Sequence, residues 1–135
     1  MITKIYKFIN KNNLISKNDT IIIGLSGGPD SVFLTHLLLQ VQKKIPFQLI
    51  AAHLNHEWRK SSIKDEQFCA NFAKKFNIPI ILQKISDLSI DVKFNGSKEE
   101  VARKYRRYFF ESIKKKYKAN SISLGHNYDD QQETF

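Results

Sequence analysis

The sequence of 135 residues predicts an α/β domain, in which a doubly wound parallel sheet has helices on both faces. Four short apolar runs rich in β-branched residues are bounded by turn residues, as expected for strands that are buried on both faces. Segments with apolar residues at helical spacing separate these runs. A strand that alternates with a helix builds a parallel sheet through right-handed crossovers. The predicted strands cover residues 20–25, 47–54, 79–85 and 121–124.

Helices are predicted before the first strand and between the strands, because apolar residues recur there with the period of a helix. The last helix begins at a capping box, in which the side chains of Ser97 and Glu100 can each accept a hydrogen bond from the other's free backbone N–H. The helical segments cover residues 1–19, 31–42, 62–76 and 97 to about 117. We therefore divide the chain into an N-terminal helix, residues 1–19, and one α/β domain, residues 20–135.

Composition restricts the class of protein. No apolar run approaches the roughly 20 residues that cross a bilayer, so we expect no membrane partner. The first residues lack the continuous apolar core of a secretion signal. Cys69 is the single cysteine, so the 135 residues form no internal disulfide, and one thiol does not hold a zinc ion or an iron–sulfur cluster. We therefore expect a protein of the reducing cytoplasm.

The chain carries a formal net charge of +9, which is typical of a protein with a polyanionic partner. Residues 98–118 contain nine basic and three acidic side chains, a net charge of +6 in one predicted helix. Two interpretations remain open for this stretch. It is either a surface that faces RNA or a solvated helix face in a chain that is rich in lysine throughout.

Polar clusters follow three of the predicted strands, at the edge where parallel sheets bind ligands. After the first strand come Ser26, Gly27, Gly28, Pro29, Asp30 and Ser31. Two glycines let backbone N–H groups approach an anion, and the next helix begins there, which favours phosphate. The Walker lysine is absent. An anionic Asp30 beside phosphate indicates an intervening Mg²⁺. The alternative is an ordinary turn between a strand and a helix.

The second cluster contains His53, Asn55 and His56 at the end of the second strand. In an extended segment His53 and His56 project to opposite faces, so we favour contacts with nucleotide and substrate over a shared metal.

The third cluster follows the last strand and includes Gly125, His126, Asp129, Asp130 and Glu133. Its run of acids beside a histidine indicates metal binding or proton transfer. Helix capping is the alternative, although one acid would suffice for it.

Together these clusters resemble the motifs of the tRNA(Ile)-lysidine synthetases, a family of PP-loop ATP-pyrophosphatases. The motif SGGxDS is matched by residues 26–31, HxNHxxR by residues 53–59 and GHxxDDxxET by residues 125–134. A further pattern of one glutamate and two arginines is matched by Glu99, Arg103 and Arg106. The first motif is shared by many PP-loop enzymes, whereas the combination is much more specific. The resemblance implies a Rossmann-like PP-loop domain, which belongs to the adenine nucleotide alpha hydrolase-like folds.

The resemblance also implies an activity. The family uses ATP and Mg²⁺ to attach free lysine to C2 of a cytidine in the anticodon of a minor isoleucine tRNA, tRNA(Ile) with a CAU anticodon. By motif, Asp30, Arg106, His126 and Asp130 are the implied catalytic residues, and Asp30 and Asp130 the implied metal ligands. The implied nucleotide contacts are Ser26, Gly27, Gly28, Pro29, Asp30, Ser31, His53, Asn55 and Gly125.

The chain departs from the family pattern at three positions. Glu57 and Trp58 stand where the family usually has Gly and Leu, and Arg107 stands where Tyr normally follows the second arginine. Either Arg106 or Arg107 could therefore face the site. The last residues read as the first turns of a helix, so we expect the front part of a longer protein. The alternatives are another PP-loop enzyme that modifies tRNA or forms amides, and a truncated nucleotide-binding remnant.

Overall fold

A parallel four-stranded sheet forms the centre of the chain. The computed structural model describes residues 14–57, 62–88 and 96–124. The strands are β1 (Thr20–Gly24), β2 (Gln48–Asn55), β3 (Ile80–Lys84) and β4 (Ser121–Leu124). Their order across the sheet is β3-β2-β1-β4, and every neighbouring pair is parallel. The predicted parallel sheet is confirmed.

Three helices connect these strands: α1 (Pro29–Gln42), α2 (Ser62–Lys75) and α3 (Lys98–Lys116). Helix α1 begins two residues before the predicted start, because Pro29 occupies the first turn, where its missing N–H costs no hydrogen bond. A short 3₁₀ helix, Ile85–Asp87, takes the last residue of the third predicted strand. The Ser97 hydroxyl caps α3 as predicted, since it accepts a hydrogen bond from the Glu100 N–H at 3.2 Å.

Alternate strand residues point to opposite sides of the sheet, and helices pack against both sides. On one face Ile21, Ile23 and Ala51 are buried with residues of α1 and α2, among them Leu38 and Cys69.

On the other face Ile22, Ala52 and Leu54 pack with Phe109 and Phe110 of α3. The doubly wound arrangement is therefore confirmed. Continuous burial of β1 and β2 explains why their sequences are apolar without alternation. The prediction of burial on both faces is wrong for β3 and β4, which lie at the two ends of the strand order and are only partly buried.

The position of β1 determines where a ligand can bind. From β1 the chain adds β2 and then β3 on one side, and β4 on the other. The direction of winding thus reverses between β1 and β4. In such sheets ligands bind outside the carboxyl ends of the strands at this reversal. The loop after β1 lies at that edge.

Some predicted elements lie in residues that the structure does not describe. The predicted helix of residues 1–19 lies mostly outside the described residues, and its described part, residues 14–19, is turn and coil and not helix; residues 125–135 also lie outside. The division into an N-terminal helix and a domain stays a prediction. Within residues 14–57, 62–88 and 96–124, none of the helices combines the length and the apolar character that a bilayer span requires.

Candidate functional site

The β1 loop, residues 26–31, holds its shape through its own hydrogen bonds. Gly27 has φ +90°, a conformation that side chains rarely adopt. The Ser31 hydroxyl accepts a hydrogen bond from the Ser26 N–H and donates one to the Gly28 carbonyl, both at 3.1 Å. The Ser26 hydroxyl contacts that of Ser31 at 3.1 Å and accepts from the Gly28 N–H at 3.2 Å. Ser31 is only 1% exposed, so its hydroxyl braces the loop from inside.

The β1 loop leads directly into α1, whose N-terminus opens at the same edge. Gly28 is the N-cap residue and provides no side-chain cap to the first turn. Helix N-termini offer free N–H groups and a partial positive charge to anions. Asp30 is exposed in this first turn. The arrangement therefore suits phosphate oxygens together with a cation that the Asp30 carboxylate can coordinate.

The end of β1 is fixed by two residues from other elements. The Leu25 carbonyl accepts a hydrogen bond from His53 Nδ1 at 2.8 Å and one from the Cys69 thiol at 3.5 Å. Burial, with Asp65 and Glu66 nearby, raises the pKa of Cys69 to about 12. The thiol is therefore protonated at neutral pH and is not a nucleophile.

The β2 turn, residues 55–57, is held by one bond within the turn and by bonds to more distant residues. The Asn55 side chain is buried; its amide nitrogen donates to Glu66 at 3.2 Å and its oxygen accepts from the Glu57 N–H at 2.8 Å. Both ends of the amide thus bind protein groups. The structure supports a positioning role for Asn55, and a direct contact with nucleotide stays a prediction.

Glu57 has a backbone conformation that explains why glycine is usual in the resembling family. Its φ is +62°, in the left-handed region that side chains disfavour. Here the Glu57 carboxylate accepts a hydrogen bond from the Ser86 N–H at 3.0 Å. Hydrogen bonds from the side chain and the backbone of Ser86, with a smaller contribution from Lys84, hold the pKa of Glu57 below its ordinary value. The turn after β2 is therefore tied to the segment after β3.

A cavity of about 210 Å³ lies at the carboxyl edge of β1, β2 and β4. Gly24 leaves room for the side chains at its floor, because a Cβ there would meet Leu124 Cδ2 at 2.5 Å and Phe110 Cζ at 3.0 Å, so that these side chains would have to shift. Sequence reasoning missed Gly24, since the close approach of α3 and β4 is a feature of the fold alone. Of the predicted site residues, the lining includes Ser26, His53, Asn55 and Arg106; it also includes His56.

Arg106, and not Arg107, faces the site. Arg106 lines the cavity, whereas the Arg107 side chain is 64% exposed and pairs with Glu111 at 3.2 Å. The signal was present in the sequence, because Arg106 precedes the buried Phe110 by one helical turn and so shares its face.

A second cavity of about 510 Å³ adjoins the first along α3. Both cavities are lined by His56 and Arg106, and the second also by Glu99, Glu100 and Arg103. Burial, Arg106 and His53 together hold the pKa of His56 below its ordinary value, so its imidazole is neutral at neutral pH. Two adjoining cavities with both signs of charge can place one reactant against another.

Several predicted site residues lie elsewhere in the chain. Gly125, His126 and Asp130 fall outside the described residues, and their roles stay predictions. In the part that the structure describes, no three His, Cys, Asp or Glu side chains converge as a metal cluster would require. The predicted preference for nucleotide contacts over a shared histidine metal site stays a prediction.

Comparison with known proteins matches this architecture to a family. A sequence model of the PP-loop domain family matches residues 1–135. The chain belongs to the PP-loop family. The predicted PP-loop fold is confirmed, and membership of this family implies that the domain binds ATP.

Curated relatives of this PP-loop domain bear the name tRNA(Ile)-lysidine synthase. The protein of Clostridium acetobutylicum is 37% identical over 135 residues, which cover 99% of this chain and 29% of that protein. The protein of Clostridioides difficile is 42% identical over 132 residues, which cover 97% of this chain and 29% of that protein. The predicted resemblance is confirmed. The chain spans less than a third of the length of these relatives.

A solved structure shares the fold of the PP-loop domain. The U34-tRNA thiolase NcsA from Methanococcus maripaludis, determined with its [4Fe-4S] cluster, superposes with a TM-score of 0.77. The match covers 96% of this chain and 46% of that chain at 23% identity. At this identity the likeness concerns the fold.

Proposed function

We propose that this PP-loop domain carries out the ATP-dependent step of lysidine formation, in which lysine is ligated to C2 of the wobble cytidine of tRNA(Ile) with a CAU anticodon. The observation that carries the proposal is the pair of adjoining cavities at the carboxyl edge, which share Arg106 and His56. The first cavity begins at the loop that suits phosphate. The second leaves room for a reacting base beside it. The names of the relatives support the same activity.

The triphosphate end of ATP is assigned to the β1 loop and the first turn of α1. The free N–H groups of that turn suit phosphate oxygens. Asp30, with Asp130 as its proposed partner, would hold Mg²⁺, since this ion commonly takes one or two carboxylates together with phosphate oxygens. When bound, Mg²⁺ would neutralise phosphate charge. Asp30 fits this role because it is exposed beside the loop.

In the proposed first step the cytidine C2 oxygen attacks the α-phosphorus of ATP, the bond to the β-phosphate oxygen breaks, and pyrophosphate leaves. Negative charge spreads over the phosphoryl oxygens in the transition state. Arg106 lies where a fixed cation can stabilise that charge, at the wall between the two cavities. His126 is proposed to orient the nucleotide or the base.

In the proposed second step the lysine ε-amine attacks C2 of the adenylated base, and the bond between C2 and oxygen breaks to release AMP. The attacking amine must lose a proton, because free lysine is ammonium at neutral pH. Asp130 is the motif-derived candidate for this proton. The neutral His56 imidazole, at the wall of both cavities, is a second group that can accept it.

Helix α3 supports an RNA substrate. Arg103, Lys104 and Arg107 are exposed along it, and Lys115 and Lys116 are exposed in its last turn. Arg103 also lines the second cavity, so exposed cations extend from the proposed reaction centre along the helix. Such a row of cations attracts a phosphate backbone.

Thiolation of tRNA is the nearest rival activity, and the described site offers it little support. Such chemistry uses reactive cysteines or a cysteine-bound cluster. Within these 135 residues Cys69 is the single cysteine, and it is buried with a raised pKa. A synthetase that forms amides on small acids would share the ATP loop but would have no need of a basic α3.

The test is release of AMP and pyrophosphate from ATP in the presence of lysine. A tRNA(Ile) with a CAU anticodon is compared with the same tRNA in which the wobble cytidine is replaced by uridine. Release with the first tRNA alone, accompanied by incorporation of labelled lysine, is the expected result. Release that does not depend on the wobble base, or no release with either tRNA, would contradict lysidine formation by this chain.

A further inference from the structure

The two ring nitrogens of His53 differ in their hydrogen bonding. The residue lies in β2, is 6% exposed and lines the first cavity. Its Nδ1 is 2.8 Å from the Leu25 carbonyl oxygen. A carbonyl oxygen can only accept a hydrogen bond, so this short contact assigns a proton to Nδ1; the Cys69 thiol, 3.5 Å from Nδ1, has the same carbonyl as its acceptor. The protein backbone therefore selects the ring tautomer.

The consequence concerns the other nitrogen. In a neutral ring with its proton on Nδ1, Nε2 presents a lone pair and acts only as an acceptor. Nε2 is buried and has no hydrogen-bond partner within residues 14–57, 62–88 and 96–124. Buried polar atoms without partners are uncommon in native proteins, because each one forfeits the hydrogen bond that water would make. A donor is thus missing at this atom.

We propose that His53 Nε2 accepts a hydrogen bond from the nucleoside end of the bound nucleotide, and so selects nucleotides that carry a donor there. The inference rests on the proposed function, in which this cavity holds ATP. The donor is either the 6-amino group of the base or a hydroxyl of the ribose, which share the same chemistry.

The direction of this hydrogen bond also orients the nucleotide. Ionised phosphate oxygens are acceptors and offer nothing to a lone pair. The phosphates therefore lie at the β1 loop and the first turn of α1, and the nucleoside lies toward the end of β2. His53 acts in two ways, since Nδ1 holds the Leu25 carbonyl at the start of the loop while Nε2 contacts the ligand.

Two variants separate the bond from Nδ1 to the Leu25 carbonyl from the contact of Nε2 with the ligand. His53→Asn can keep an N–H near the position of Nδ1, and with it the bond to the Leu25 carbonyl, but has no group at the position of Nε2. His53→Gln can place an amide oxygen near the position of Nε2 and loses the donor at Nδ1. Thermal unfolding of both variants is compared with that of the unchanged chain, so that only folded protein enters the binding experiment.

Binding is measured by calorimetry at pH 8 with Mg²⁺ and four ligands. These are ATP, the triphosphate of purine riboside, which lacks the 6-amino group, and the 2′-deoxy and 3′-deoxy forms of ATP. For the unchanged chain we expect one of the three analogues to bind roughly tenfold more weakly than ATP, as for the loss of one hydrogen bond. That analogue identifies the donor.

The variants then assign the effect to His53. His53→Asn is expected to bind ATP roughly tenfold more weakly and to bind ATP and the identified analogue equally. His53→Gln is expected to recover part of the discrimination. If the unchanged chain binds all four ligands equally, or if His53→Asn discriminates as the unchanged chain does, this inference is wrong while the ATP site stands. If the unchanged chain binds none of them, the proposed function fails as well.

Discussion

The β1 loop and the β2 turn lie side by side at the carboxyl edge of the sheet, yet they are held in opposite ways. The bonds that shape the β1 loop join residues at most five positions apart, with Ser31 at their centre. The bonds that shape the β2 turn reach Glu66 on α2 and Ser86 after β3. The loop is therefore a local structure, whereas the turn depends on the assembled fold.

The largest effect is expected from breaking the local network at its centre. Ser31→Ala leaves the Ser26 N–H without its partner in a part-buried position, and the Gly28 carbonyl loses one donor and keeps the Val32 N–H at 3.3 Å. We expect unfolding free energy to fall by roughly 2–3 kcal/mol and ATP affinity by about tenfold. Chemical denaturation and calorimetry measure the two quantities.

The matched control for Ser31 is Ser112→Ala on the exposed side of α3. There one hydroxyl donates to the Tyr108 carbonyl at 2.7 Å in contact with water. Its expected cost is within about 0.5 kcal/mol. Equal losses for the two serines would show that the network around Ser31 does not support the loop.

A smaller effect is expected from Asn55→Ala in the β2 turn. The change removes one donor and one acceptor from a buried position, which costs roughly 1–2 kcal/mol. Because the partner Glu66 is on another element, Asn55→Ala and Glu66→Ala should be non-additive in a double-mutant cycle. Asn120→Ala, which removes a single exposed bond to the Thr20 N–H, is the control and should cost less. Additive losses would contradict the link between β2 and α2.

The next effect depends on pH and concerns His56. Because its folded pKa lies below the ordinary 6.5, the unfolded chain takes up a proton that the folded chain resists. This contribution to stability is complete above pH 6.5 and is lost as the pH falls through that value toward the folded pKa. His56→Gln should therefore show a flatter dependence of unfolding free energy between pH 7.5 and pH 5.5. An unchanged slope in the variant would argue against the burial of His56 beside Arg106.

The smallest effect is expected at Glu57, whose carboxylate is fully exposed. Its lowered pKa means that its contribution is present above the ordinary value of 4.5 and is lost as the pH falls below it. Glu57→Gln should lower the melting temperature slightly at pH 7 and leave it unchanged near pH 3. A difference of equal size at both pH values would show that the charge of Glu57 has no part in the bond to the Ser86 N–H.

The contrast between the two regions explains what could be predicted from the sequence. Residues 26–31 are predicted to be a phosphate loop because their glycines, serines and following helix act on one another along a few positions of chain. The four strands are predicted from their short apolar runs; burial on both faces explains these runs for β1 and β2, whereas β3 and β4 are only partly buried. Each of these signals is contained within a short window.

The β2 turn had no such signal. That Asn55 binds Glu66, or that Glu57 adopts a positive φ and binds Ser86, depends on how α2 and the segment after β3 pack. The tautomer of His53 likewise depends on the Leu25 carbonyl, which is 28 residues away in the chain. Arg106 is an intermediate case, because the helical period alone is enough to place it on the same face of α3 as Phe110.

The most direct test of the ATP site compares two adjacent arginines. Arg106→Gln and Arg107→Gln make the same chemical change at the wall of the cavity and on the exposed face of α3, respectively. Calorimetry with Mg²⁺ and ATP should show affinity roughly tenfold or more weaker for Arg106→Gln, as for loss of a charged hydrogen bond, and unchanged for Arg107→Gln. Equal affinities for the two variants, or a larger loss at Arg107, would contradict the site described at this edge of the sheet.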